Sequence, residues 1–336
     1  MKKSFTCSTL FAAALLIFSS CDPEDDFDFE LPGDQEGSTA YVSSNTSGLV
    51  TVLEADGLGD VDVMQKSIAS MDADGIYYDE ERNEIILASR TTNRIEVYQK
   101  MKDGSLELKT TSTPDFTNAR EVAVSGNMIV VVQDADPALN NNMNKLYVYE
   151  RTPSGVHLRN TYDVGINLWG IHAEGSTLYA VVDNSGDIAS FENFFSNADG
   201  MIEPTKRVTV GGIVRTHGIT YSKEDHRMVL TDVGDGAVAD DGALVIIDNF
   251  SNVFSSTAQG GTIGADSQIR IEGSKTMLGN PVDVAYDEET GYLYVAERAN
   301  GGGKVLIFEM PMYNGNLSPG YSKEVAGASS VYLDQE

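Results

Sequence analysis

The chain has 336 residues, 41% hydrophobic and 8% aromatic, and carries 51 acidic against 23 basic residues, a net charge of −28. That apolar content is ordinary for a folded domain, so the acidity belongs to the surface and not to a disordered chain. Such a surface repels phosphate backbones and anionic lipid. It excludes nucleic acid as a partner and suits cations or neutral ligands such as glycans.

In chain order, the first feature is a charged start, Met1-Lys2-Lys3, followed by an apolar stretch over residues 10–18 and then Phe18-Ser19-Ser20-Cys21. A basic start, a short apolar core and small residues before a cut make a secretory signal over residues 1–20. The apolar core is too short to span a bilayer, which takes ~20 residues. Cys21 directly after the small residues resembles the lipobox of bacterial lipoproteins, with Phe18 where that family usually has Leu. The resemblance implies acylation of Cys21, which becomes the mature N-terminus and anchors the chain in a membrane of the cell envelope, with the outer membrane expected. The alternative is an ordinary secretory signal with an incidental cysteine. Cys7 and Cys21 are the two cysteines, so a mature chain beginning at Cys21 has no internal disulfide and depends on its core. Loss of Lys2 and Lys3 with the signal brings the net charge to about −30.

Residues 21–37 form an acidic, proline-bearing run (Asp22-Pro23-Glu24-Asp25-Asp26), which repels itself and has little to bury. It reads as a tether. It also resembles the surface-export signals of some Gram-negative lipoproteins, and a solvated spacer is the alternative.

Residues 38–336 repeat. One unit runs Asp74-Gly75-Ile76-Tyr77-Tyr78-Asp79, then Glu84-Ile85-Ile86-Leu87-Ala88-Ser89-Arg90, then Arg94-Ile95-Glu96-Val97-Tyr98, then a weaker strand near Leu106. These are four short strands joined by polar turns, and no segment reads as a convincing helix. Ile76, Val122, Ile171, Ile219, Val284 and Val331 are equivalent, at spacings of 46, 49, 48, 65 and 47. Near-constant spacing with one insertion, in the fourth unit, predicts four-stranded antiparallel blades of an all-β propeller. Residues 330–334 look like a first strand with nothing after it, and residues 40–64 like second, third and fourth strands with no first. Pairing them closes the ring as a shared sixth blade and protects both edges. A seventh blade is the alternative, if the segment after Phe250 hides another sheet.

The Gly-Ile strand openings followed by Tyr-Asp resemble the NHL-repeat, gluconolactonase and lactonase-like propellers, over nearly all of residues 38–336. In such propellers ligands sit on the face where first strands begin and second strands end. Just before the first strands lie Asp74, Arg120, Trp169, His217, Val282 and Ser329. At the second-strand ends lie Asn45, Arg90, Asp134, Asp183, Asp232 and Arg298. Together they predict a polar mouth, although each residue alone also reads as a turn cap or an ion-pair partner between blades.

The resemblance to gluconolactonases implies a divalent cation such as Ca²⁺ on the axis, held just before the strand-opening glycine. Asp74-Gly75 and His217-Gly218 match that place; Trp169-Gly170 and Arg120-Glu121 do not, and Asp283 stands one residue off. The acidic loops after Gln133 and Thr231 add Asp232 as a metal candidate. There is no Gly-x-Ser-x-Gly elbow, no His-Glu-x-x-His and no phosphate loop. Two functions follow. One is a membrane-tethered propeller binding a small molecule, glycan, peptide or envelope protein. The other is a metal-dependent lactonase or esterase with Asp74 and His217 as its candidate catalytic residues.

Overall fold

A computed structural model describes residues 37–334. The predicted signal, Cys21 and the tether up to residue 36 lie outside the described residues. Six separate sheets make up the domain, each with its strands in an order running outward from one inner strand. Blade 1 comprises Ala73–Asp79, Glu84–Ser89, Arg94–Lys100 and Leu106–Thr111. The inner strands of blades 2 to 6 are Ala119–Ser125, Leu168–Glu174, Ile219–Ser222, Pro281–Tyr286 and Ala328–Asp334. The chain is a six-bladed β-propeller.

The strand sequences explain the stacking. Alternate side chains of a strand face opposite sides of its sheet. In blade 2, Val130 and Val132 pack toward blade 3, whereas Ile129 and Val131 pack toward blade 1. In blade 4, Val245 and Ile247 face blade 3, and Leu244 and Ile246 face blade 5. Both sheet faces are apolar, so second and third strands such as Met128–Gln133 and Ala243–Ile247 read as largely apolar runs without alternation. Six apolar clusters result, one in each gap between neighbouring blades. The outermost strand of blade 1 buries none of its residues fully, which is why Leu106–Thr111 reads weakly.

Closure follows the predicted route. Ala328–Asp334 pairs antiparallel with Ser38–Ser44, with Val331 opposite Val42, and Ser38–Ser44 continues to Leu49–Ala55 and Val61–Ser67.

The long spacing before Val284 is no seventh blade. The segment after Asn249 forms an α-helix, Phe250–Ser256, which corrects the expectation of no helix. It then adds Thr262–Ile263 as a parallel fifth strand to blade 3 before returning as the fourth strand of blade 4, Ile269–Glu272. Blade 2 likewise gains a parallel fifth strand, Gly200–Ile202, so the four-stranded rule fails in two blades. Both excursions start alike. Asn193 and Asn249 adopt φ of 51°, a conformation asparagine tolerates, and turn the chain so that Phe194 and Phe250 are fully buried.

The inner strands approach closely where glycines open them. A Cβ at Gly170 would lie 2.1 Å from the His217 carbonyl oxygen, and one at Gly218 would lie 2.7 Å from Asp283 Cα. The neighbouring blade leaves no room for even a methyl group. Gly170→Ala is expected to lower stability by about 1–3 kcal/mol through overpacking, read as a fall in denaturation midpoint at unchanged m-value.

Candidate functional site

One backbone hydrogen bond recurs in all six blades and fixes the register of the mouth. The N–H just past the second strand donates to the carbonyl four residues before the first-strand reference position. The six bonds are Asn45 to Gly327, Arg90 to Asp72, Asp134 to Asn118, Asp183 to Asn167, Val233 to Arg215 and Arg298 to Asn280, at 2.7–3.2 Å. Asp232 is therefore one residue out of register with the other second-strand ends, and Val233 holds the equivalent place. Asp232 is instead buried, accepting the N–H groups of Val214, Arg215 and Gly234 and pairing with Arg270 at 2.5 Å. Glu297 does the same in blade 5. Its carboxylate accepts N–H groups from Gly279, Asn280, Ala299 and Asn300 and holds the loops that carry Asn280 and Arg298.

All six residues expected just before the first strands line one cavity of about 420 Å³ on this face, Asp74, Arg120, Trp169, His217, Val282 and Ser329, and all but His217 lie within the opening residues of those strands. Asn45 and Arg298 line it from the second-strand ends. Arg90, Asp134 and Asp183 sit behind the wall as partners of lining residues. Arg90 bonds Asp74 at 2.9 Å, Asp134 accepts from Arg120 at 3.0 Å, and Asp183 accepts from Arg215 at 2.7 Å. Arg215 and Asn280 also line the cavity. Sequence reading missed them, yet each lies two residues before a predicted lining position, the interval at which strand side chains return to one side.

Trp169 is the centre of a stack. His217 lies parallel to its ring at 3.8 Å and 3°, and the Arg120 guanidinium lies 4.0 Å from its centroid. His217 comes from blade 4 and Arg120 from blade 2, so the two cover opposite faces of the indole. Such cation–π and π-stacked contacts order all three side chains. The indole faces are thus taken, which removes Trp169 as a flat platform for a sugar.

His217 is buried, and its Nε2 lies 3.1 Å from Asp183 Oδ1. Burial pulls its pKa down to about 4 against the opposing pull of Asp183, so the imidazole is neutral at pH 7. Burial alone would raise Asp183, but its bonds from His217 and Arg215 hold it well below the usual carboxylate range. A neutral imidazole donating from Nε2 leaves Nδ1 as a bare acceptor, and Nδ1 is buried with no partner. Asn45 Oδ1 and Asn280 Oδ1 are buried and unpartnered too. Arg298 is half-buried and, among the described residues, forms no ion pair within 4.0 Å.

The metal candidates do not fit a cation site. Asp74 is bonded to Arg90, with Arg120 3.9 Å away, Nε2 of His217 faces Asp183, and Asp232 is spent on Arg270 and backbone N–H groups. Among the described residues no three His, Cys, Asp or Glu side chains gather for a metal. Arginines beside each acid supply the positive charge that a cation would otherwise bring.

One layer deeper lie Gly75, Glu121, Gly170, Gly218, Asp283 and Ser330. Ser330 Oγ lies 2.8 Å from Asp283 Oδ2 and 3.1 Å from Glu121 Oε1, joining the acids of blades 2 and 5 across the axis. Burial pushes Asp283 up to about 7, and burial with the neighbouring Asp283 charge raises Glu121 well above the usual range. Both carboxyls bind protons more tightly folded than unfolded, so their contribution to stability is full near pH 4 and is lost as pH rises toward 7. Asp283→Asn is expected to raise the melting temperature at pH 8 relative to the parent, with the gain disappearing at pH 4. A melting series from pH 4 to 8 on both chains checks this.

No family model and no curated protein matches the sequence. Solved structures do match. A "putative 6-phosphogluconolactonase" from Bacteroides fragilis NCTC 9343 superposes with a TM-score of 0.59 at 12% identity, covering 90% of this chain and 99% of that one. Another from Bacteroides uniformis ATCC 8492 gives 0.60 at 12% identity, covering 89% and 100%. A chain of the nidogen/laminin complex gives 0.59 at 12% identity, covering 88% and 98%. At this identity the likeness shows the β-propeller fold, and a propeller hosts unrelated activities.

Proposed function

We propose that this chain is a lipid-anchored envelope propeller whose mouth binds a small polyhydroxylated acid, of the sugar-acid or sugar-phosphate class. The observation that carries the reading is the pairing of unsatisfied groups in one cavity. Arg298, beside Arg120 and Arg215 in the lining, offers guanidinium N–H groups to an anion, and the lining residues His217, Asn45 and Asn280 hold buried, unpartnered acceptors (Nδ1, Oδ1 and Oδ1) that small side-chain shifts would turn to a ligand's hydroxyls. A buried polar atom left unpaired costs about 1–3 kcal/mol, so a ligand that pairs several of them gains that much at each. The mouth thus departs from the expectation of cations or neutral glycans: the surface as a whole is acidic, but arginines line this cavity.

The test is calorimetry on the detergent-solubilised full chain with gluconate, 6-phosphogluconate and glucose. The acids are expected to bind and glucose to bind at least about tenfold more weakly, with Arg298→Ala erasing that preference. Equal binding of glucose and gluconate, unchanged in Arg298→Ala, would overturn the reading. Anchoring through Cys21 is read separately, from the membrane fraction of Cys21→Ser cells.

A second reading is favoured by one arrangement. Asp183 takes Nε2 of His217 and leaves Nδ1 of this lining residue neutral and unpartnered, the form a general base needs to take a proton from water attacking a lactone or ester. Sugar lactones would then be hydrolysed at a rate that falls only as pH approaches 4, where His217 gains its proton. His217→Ala should lose about 10²–10⁴-fold in kcat, beyond the weaker gluconate binding expected from loss of its acceptor. Undetectable turnover of lactones by the parent chain would leave the binding function alone.

A further inference from the structure

The opposite face opens into a larger cavity, about 640 Å³, that runs up the axis and ends at the acid pair. Its walls are the six equivalent positions Ile76, Val122, Ile171, Ile219, Val284 and Val331, with Glu121 and Asp283 among the lining residues at its inner end. The lining also includes Tyr77, Tyr221, Tyr286 and Tyr332, and the rim carries Glu174, Glu224 and Glu288 against Lys223 alone. We propose that this cavity is a second binding site, for a molecule with an apolar body and a primary ammonium head that seats between Glu121 and Asp283.

Three observations converge on that ligand. The first is the shape and lining. A pocket of this volume, with an aliphatic ring between a charged rim and an acid pair at its inner end, has the form of a small-molecule site that takes an apolar body with a polar head. The second is the acid pair's lack of a counter-charge. Several other buried acids have one: Asp79 and Glu84 share Arg151, Asp183 has Arg215, and Asp232 has Arg270; buried Glu297 has none and is met instead by four backbone N–H groups of its own. Glu121 and Asp283 have no Lys, Arg or His nitrogen within 4.0 Å among the described residues. Their donors are the N–H groups of Val122, Val284 and Val331 and the Ser330 hydroxyl. The charge of an approaching ammonium favours the ionised form of both acids, and two carboxylates accept up to about eight hydrogen bonds, so room remains for its three N–H donors. The third is charge. The rim is acidic like the chain as a whole, which draws cations toward this opening and repels anions. The two ends of the axis therefore have opposite preferences: the mouth presents Arg120, Arg215 and Arg298, and the far cavity presents five acids and one lysine.

The probes are n-hexylammonium, its neutral analogue n-hexanol, and Ca²⁺, each titrated into the detergent-solubilised full chain at pH 7.5 and followed by calorimetry and by melting temperature. Hexylammonium is expected to bind and raise the melting temperature, and hexanol to bind at least about tenfold more weakly. The double variant Glu121→Gln/Asp283→Asn should lose the ammonium preference while staying folded, since it removes buried charge without removing volume. Arg298→Ala, at the other end of the axis, should leave hexylammonium binding unchanged. Hexylammonium binding that persists in the double variant would place the amine on the acidic surface and overturn the proposal. So would a thermal shift given by Ca²⁺ alone. Failure here leaves gluconate binding at the mouth intact, and the converse holds.

Discussion

The structure depends on sheets that are apolar on both faces. A sheet with one apolar face pairs once and stops; one with two must be covered twice. Val130 and Val132 on one side, and Ile129 and Val131 on the other, demand a neighbour in each direction, and a ring satisfies every sheet at once. The last sheet closes the ring because residues 328–334 supply the strand that residues 38–67 lack.

The ring brings the inner strands to one axis and turns sequence positions into layers. At the mouth are Asp74, Arg120, Trp169, His217, Val282 and Ser329, beneath them the glycines with Glu121, Asp283 and Ser330, and beneath those the six aliphatic residues. Each layer is a different chemical environment, although its members lie nearly fifty residues apart in the chain. The glycines matter as much as the charged residues. Where Gly170 and Gly218 let neighbouring blades approach, Glu121 and Asp283 keep side chains that meet through Ser330. Two potential sites face away from each other, separated by a buried acid pair and differing in the sign of the charge that lines them.

Much of this was legible. Near-constant spacing gave six blades, the closing strand and the six positions at the openings of the first strands, because a strand's side chains and its hydrogen-bond partner are set by local register. The places where reading failed are local too. Asp232 was placed one residue out of step, since the second strand of blade 4 ends in Asp-Val-Gly and an aspartate looks like its counterparts in blades 2 and 3. The bond from Val233 N–H to Arg215 O resolves it. The helix at Phe250–Ser256 was missed because seven residues with no helical stripe carry little periodicity, and it forms by burying Phe250 and Phe254 against blades 3 and 4.

The sequence by itself determined the strands, their number per blade to within the two added fifth strands, the ring closure and the six first-strand positions that meet at one end of the axis. These follow from the two-residue period and the repeat, which are properties of neighbours along the chain. The tertiary structure decided which charges meet. It paired Asp74 with Arg90, sandwiched Trp169 between Arg120 and His217, left Arg298 and His217 Nδ1 unmatched, and set Glu121 and Asp283 together without a cation. Those outcomes depend on distances between blades, and Coulomb and hydrogen-bond energies at 3–4 Å are invisible to a pattern that records only spacing along the chain.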